Sequence, residues 1–73
     1  MAKAKAASVY RVTEVIGTSP KSWEDAARSA VETASKSLRE LRVAEVTKLD
    51  MKVENGKVVA YRARISLSFK YDA

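Results

Sequence analysis

The side chains able to do chemistry in this 73-residue chain are carboxylates, guanidiniums, amines, hydroxyls and one indole, because the sequence holds no His and no Cys. Imidazole bases, thiol nucleophiles, disulfides and zinc-finger sites are removed together. Glu14, Glu45, Asp50 and Glu54 lie on segments patterned as strands. A hard cation wants about six to eight oxygen ligands, so copies of such residues converging on a symmetry axis would supply what one chain does not. The competing reading is a solvated strand face. Arg62 and Arg64 project from one strand face, where they either hold a phosphate or pair across strands with Asp50 or Glu54. Trp23 is either a stacking platform for a planar ligand or the anchor of a helix start, and its place on an alanine stripe favours the anchor. No phosphate loop, paired-carboxylate constellation or nucleophile motif occurs, so no enzymatic activity is expected.

These residues must be positioned by few elements. From Ser8 to Ile16, SVYRVTEVI mixes β-branched and polar residues and predicts a strand, with its buried face left open between Val9/Arg11/Thr13/Val15 and Tyr10/Val12/Glu14/Ile16. Gly17-Thr18-Ser19-Pro20 predicts a loop. Ser22 followed by Trp23, Glu24 and Asp25 reads as an N-cap with two acids in the first turn. The helix it opens buries Trp23, Ala26, Ala27, Ala30, Val31, Ala34, Leu38 and Leu41, and is expected to end near Leu38 to Leu41. Four alanines make that stripe thin. Val43 to Glu54 alternates as a second strand, with Leu49, Met51 and Val53 on one face. Asn55-Gly56 signals a tight type I′ turn, and Lys57 to Tyr71 alternates most regularly of all. The expected fold class is α+β, in the order β-α-β-β.

Two strands of about 12–15 residues are long where about 5–6 is usual, and one helix cannot cover the inner face of their hairpin. With edge strands exposed, a second copy of the chain is the simplest cover. A chain this short is marginal alone in any case, since it buries only about 60% of its unfolded surface.

The formal charge is +5, from 14 basic and 9 acidic residues. Lys3 and Lys5 sit in the Ala/Lys-rich start, residues 1–7, which is expected to be disordered and to precede a single domain over 8–73. The remaining 12 basic against 9 acidic residues leave a weak electrostatic footprint, so nucleic-acid binding is not expected. No stretch reads as a signal peptide or membrane span, and a cytoplasmic location is expected.

The string VYRVTEVIGTSPKSWEDAA, then LRVAEV, the Asn-Gly hairpin and a closing strand ending SFK together resemble the dodecins over residues 8–73. The resemblance implies a three-stranded antiparallel sheet wrapped around one helix, twelve copies of which close into a hollow homododecamer. Flavin-binding dodecins stack isoalloxazine rings in pairs at a two-fold interface with a Trp opening the second strand and a Gln in the third. Those positions fall on Val43 and Arg62, and Glu45 is taken with them as a cofactor-site residue. Losing a stack worth about 1–3 kcal/mol per ring from both sides of a stacked pair would weaken flavin binding by roughly two to four orders of magnitude. Within the family, IGTSPKSW, LRVAEV, DMKV, YR and SFK resemble the Trp-lacking calcium dodecins. That implies cation binding by carboxylates, with Glu14 and Asp50 the candidate calcium ligands.

The expected function is a non-enzymatic binding or storage shell for a small molecule or divalent cation. The alternatives are flavin (FMN or riboflavin) storage despite the altered site, and a purely structural assembly.

Overall fold

The most regular alternation in the chain becomes its central strand. In the computed structural model, which describes residues 7–71, β1 (Tyr10–Ser19), α1 (Trp23–Ala34), β2 (Leu41–Glu54) and β3 (Lys57–Lys70) follow in that order. The three strands form one antiparallel sheet in the order β1-β3-β2. This is the expected α+β, β-α-β-β architecture. The expectation of a disordered start at 1–7 falls, apart from Ala7, outside the described residues.

Strand β3 is flanked on both sides, and its inward residues Ala63, Ile65 and Leu67 are fully buried. Its register settles which face of β1 turns inward. Thr13, Val15, Gly17 and Ser19 pair with Leu67, Ile65, Ala63 and Tyr61, so they share the buried face, while Tyr10, Val12, Glu14, Ile16 and Thr18 look outward.

Three boundaries differ from those the sequence predicts. Strand β1 runs on through Gly17 and Thr18 to Ser19, because these residues pair with β3 instead of turning away. Gly17 is needed there: a Cβ on it would lie 2.1 Å from the Ala26 carbonyl oxygen and 2.8 Å from the Ala30 Cβ. The alanine stripe therefore receives a strand backbone. Helix α1 stops at Ala34, short of Leu38, and no basic residue stands in its last turn. The chain leaves through turns in which Ser37 and Leu38 donate to the Ala34 carbonyl, and Leu38 still packs on the core. Strand β2 starts two residues early, at Leu41, which pairs with Phe69.

The local signals at the other junctions appear as read. The Ser22 hydroxyl accepts from the Asp25 amide at 3.0 Å. Buried Ser19 donates to the Asp25 carboxylate at 2.7 Å, tying the end of β1 to the first helical turn. Asn55 and Gly56 have φ of 53° and 74°, the positive values a type I′ turn requires.

Candidate functional site

The sheet presents two faces, and each is incomplete in one chain. On the inner face α1 packs against β1 and β3 but scarcely reaches β2. A groove of about 630 Å³ opens between α1 and β2, floored by Ala44, Val46, Leu49 and Ile65 and walled by Trp23, Ala27 and Val31. Val46, Leu49, Met51 and Val53 are 45–57% exposed. Beyond Tyr61, β3 loses its β1 partner, so residues 52–60 form a two-stranded arm carrying exposed Val53, Val58 and Val59. Covering such residues is worth about 25 cal/mol per Å², and the chain's own helix leaves that gain unused.

Trp23 takes the anchoring role. Its indole Nε1 donates to the Asp50 carbonyl at 2.9 Å and its ring meets Tyr61 edge-on at 5.1 Å. The helix start is thereby clamped across the hairpin, with part of the ring on the groove wall.

The outer face carries most of the charged candidates, arranged in register rows. Row by row along β3, Arg62 lies between Thr18 and Asp50, Arg64 between Ile16 and Lys48, Ser66 between Glu14 and Glu45, and Ser68 between Val12 and Val43. The Arg62 guanidinium grips Asp50 through both oxygens, Nε to Oδ1 at 2.7 Å and Nη2 to Oδ2 at 2.9 Å. This is the cross-strand pairing offered as one of the two readings of Arg62. It holds the Asp50 carboxyl below its ordinary pKa, helped by the fields of Arg64 and Lys48, and raises that of Arg62. Glu54 pairs instead with Lys52 at 3.5 Å.

Val43 and Arg62 are six residues apart along β3, about 20 Å at strand rise, so within one chain they do not form one site. Glu45 lies beside Ser66, between them. Glu14 and Asp50 sit on opposite edge strands two rows apart. Among the described residues no three acidic side chains gather closely enough to hold a metal ion. A single chain by itself therefore does not fit calcium, and each Asp50 oxygen already accepts one hydrogen bond from Arg62, with a lone pair left for a further partner. The row partners Lys48 and Ser66 carried no role in the sequence reading. Alternation already sets Lys48 with Asp50 and Ser66 with Arg64; what it does not give is the row of Glu45, because a bulge at Thr47, whose hydroxyl bonds the Arg64 carbonyl at 3.2 Å, breaks simple alternation between Val46 and Lys48.

A family model for dodecin matches residues 9–72. The chain belongs to the dodecin family. It is 48% identical over 63 residues to calcium dodecin of Mycobacterium tuberculosis, covering 86% of this chain and 89% of that protein. The crystal structure of that calcium dodecin, described as a calcium-chelating antigen with a novel calcium-binding site, superposes with a TM-score of 0.78, covering 89% of this chain and 93% of the other. Dodecin from Streptomyces coelicolor superposes with a TM-score of 0.86 at 39% identity, covering 94% of this chain and 99% of the other. A dodecin chain thus combines this helix-and-sheet fold with both incomplete faces. No helix among the described residues is long and apolar enough to cross a membrane.

Proposed function

We propose that this dodecin is a non-enzymatic binding and storage protein that works as a closed homododecamer. The observation that carries the reading is the uncovered α1/β2 groove with its half-exposed Val46 and Leu49, continued along β2 by exposed Met51 and Val53. An apolar face of this extent on so small a domain calls for a protein partner, and a second copy is always at hand. Light scattering coupled to size exclusion tests it: the expected mass is twelve times the 8.0 kDa chain. A well-folded monomer at micromolar concentration would refute it.

The ligand reading follows from what the outer face lacks. Val43 offers no aromatic plane and Arg62 is held by Asp50, so flavin binding is weak or absent. The similarity to calcium dodecin supports calcium as the alternative ligand, with Glu14 and Asp50 contributed by several copies around a symmetry axis. Calcium should then raise the melting temperature and a chelator lower it, since only a ligand preferring the assembled fold shifts that equilibrium. Absence of any calcium shift, with the dodecamer intact, would leave the structural-shell reading in its place. A cytoplasmic location is retained as part of the proposal.

A further inference from the structure

The one side-chain carboxamide of the chain stands at the tip of the hairpin. The sequence holds a single Asn, Asn55, and no Gln, and the residue after Asn55 is a glycine. A backbone nitrogen that follows asparagine is one ring closure away from the carboxamide carbon, since joining the two makes a succinimide. A side chain on the following residue obstructs that approach, and Gly56 has none. Space is open around it as well: nothing stands within 4 Å of the point where a Cβ on Gly56 would lie. Both residues are exposed, and among the described residues neither the Gly56 N–H nor the Asn55 carboxamide is held by a hydrogen bond.

We infer that the Asn55–Gly56 turn is a site of spontaneous covalent modification: it deamidates through a succinimide to aspartate and isoaspartate, at a rate set by opening of the hairpin tip. Water is the one co-reactant. The Gly56 amide gives its proton to solvent base and its nitrogen bonds the Asn55 Cγ, while the carboxamide nitrogen takes up a proton and leaves as ammonia. Water then adds to one of the two ring carbonyls. Breaking the bond from the ring nitrogen to Cγ leaves an ordinary aspartate. Breaking the bond to the Asn55 carbonyl carbon leaves isoaspartate, whose main chain runs through Cβ and Cγ. Either product carries a negative charge that the carboxamide lacked.

Closing the ring swings the Gly56 nitrogen towards Cγ by rotation about the Asn55 Cα–C bond, which the paired strands oppose. Little holds them shut. Only Glu54–Lys57 and Val53–Val58 pair between the turn and the register shift at Lys52/Val53, and β1 does not reach this arm. A two-stranded ribbon without a third strand is marginal in water. Glu54, Asn55, Gly56 and Lys57 offer no apolar side chain, so association of copies through apolar surface leaves the tip in water. The two products differ in what they do to the arm. Aspartate tolerates the left-handed conformation of position 55 (φ 53°) and keeps the turn. Isoaspartate adds a main-chain atom to a two-residue loop whose length fixes the register, so the Glu54–Lys57 and Val53–Val58 pairs are lost.

The test follows the full chain in mildly alkaline buffer, once folded and once unfolded in guanidinium chloride, with isoelectric focusing and peptide mapping by electron-transfer fragmentation, which tells isoaspartate from aspartate. With no other carboxamide in the chain, ammonia release reports Asn55 alone. The folded chain should react about ten-fold more slowly than the unfolded one, equivalent to about 1.4 kcal/mol for opening a marginal hairpin. Asn55→Gly keeps a Gly-Gly turn of the same type and should acquire no charge in either state. A folded chain that stays unmodified through many half-lives of the unfolded one would overturn the site, as would new charge appearing equally fast in Asn55→Gly. Hydrogen exchange on the separated products then reads the arm. Amides 53–58 should lose protection in the isoaspartyl form and keep it in the aspartyl form; equal protection in both would overturn the loss of register.

Discussion

Replacing Leu49 by Lys tests the groove more directly than any deletion, because it separates what one chain needs from what an assembly needs. Leu49 is 53% exposed in the chain, on the floor of the α1/β2 groove, and pairs with fully buried Ala63. Full burial of a Leu side chain is worth about 1.5–3 kcal/mol, so roughly half, about 1 kcal/mol, is still to be gained when another copy covers it. Within one chain Leu49→Lys should cost little, because the four-carbon stem can lie along Val46 and Met51 with its amine in water. Under a partner copy the amine is enclosed over an apolar floor, the groove's carboxylates, Glu24 and Glu32, standing on α1 across from it, and holding a charge in that floor costs several kcal/mol. Together these terms exceed about 3 kcal/mol per contact, more than a hundred-fold in each association constant, and the contact recurs in every copy. Sedimentation velocity should therefore show dissociated chains at concentrations where the parent is assembled, with helix and strand dichroism largely kept. An intact assembly carrying Leu49→Lys would refute the claim that this groove is an interface, whatever other contacts the shell uses.

Gly17→Ala should lower the melting temperature at fixed protein concentration by roughly 4–24 °C, because the new Cβ meets the Ala26 carbonyl at 2.1 Å and overpacking of about 1–3 kcal/mol shifts a domain of this size by about 4–8 °C per kcal/mol; an unchanged melt would show that helix and strand separate freely. Val43→Trp with Arg62→Gln should make flavin binding measurable by fluorescence quenching while the shell persists, and no gain would mean those two positions are not the flavin site. The Asp50 carboxyl has its pKa depressed first by the Arg62 hydrogen bonds, so its stabilising contribution is complete above the unfolded pKa and disappears as pH falls through the lower folded value. Thermal melts of Asp50→Asn should accordingly lose part of the parental stability at neutral pH and fall less steeply below about pH 4; parallel parental and variant curves would argue against a functioning Asp50–Arg62 pair.

How much of this was legible in the residues follows from which forces are local. Ser22, Asn55-Gly56 and the alternation from Val59 to Phe69 act within a few positions, and the cap, the turn and the central strand stand where those signals put them. Gly17 misled because a glycine beside Thr, Ser and Pro reads as a turn, whereas its smallness serves a helix 9 to 13 residues further on. Leu38 and Leu41 misled because they continue the helical spacing while packing from a turn and from the next strand. The candidate site was legible only as a set of residue types. Which carboxylate shares a row with which cation depends on β3 lying in the centre and on the bulge at Thr47, and both are decided by pairing between distant segments. Asp50 and Arg62 could be proposed as partners because both lie on the polar face of one hairpin, although counting outward from the turn would set Asp50 opposite Tyr61 and only the register shift at Lys52/Val53 sets it opposite Arg62. Glu14 beside Ser66 could not, since nothing local fixes the register of β1.

The two incomplete faces also constrain one another. If copies of the chain close the groove and also cover the outer face, each sheet is covered on both sides, a route to added stability for small domains without metal or disulfide. The Asp50–Arg62 pair then has a consequence for ligand choice. It occupies, with an internally neutral ion pair, the Arg62 position that the family resemblance assigns to the polar contact of a flavin ring. Freeing Arg62 by Asp50→Asn would restore a bidentate donor to that place without restoring an aromatic face. Such a variant should gain affinity for a small oxyanion well before it gains any for a flavin, and the opposite order would show that stacking at Val43 is not what the interface lacks.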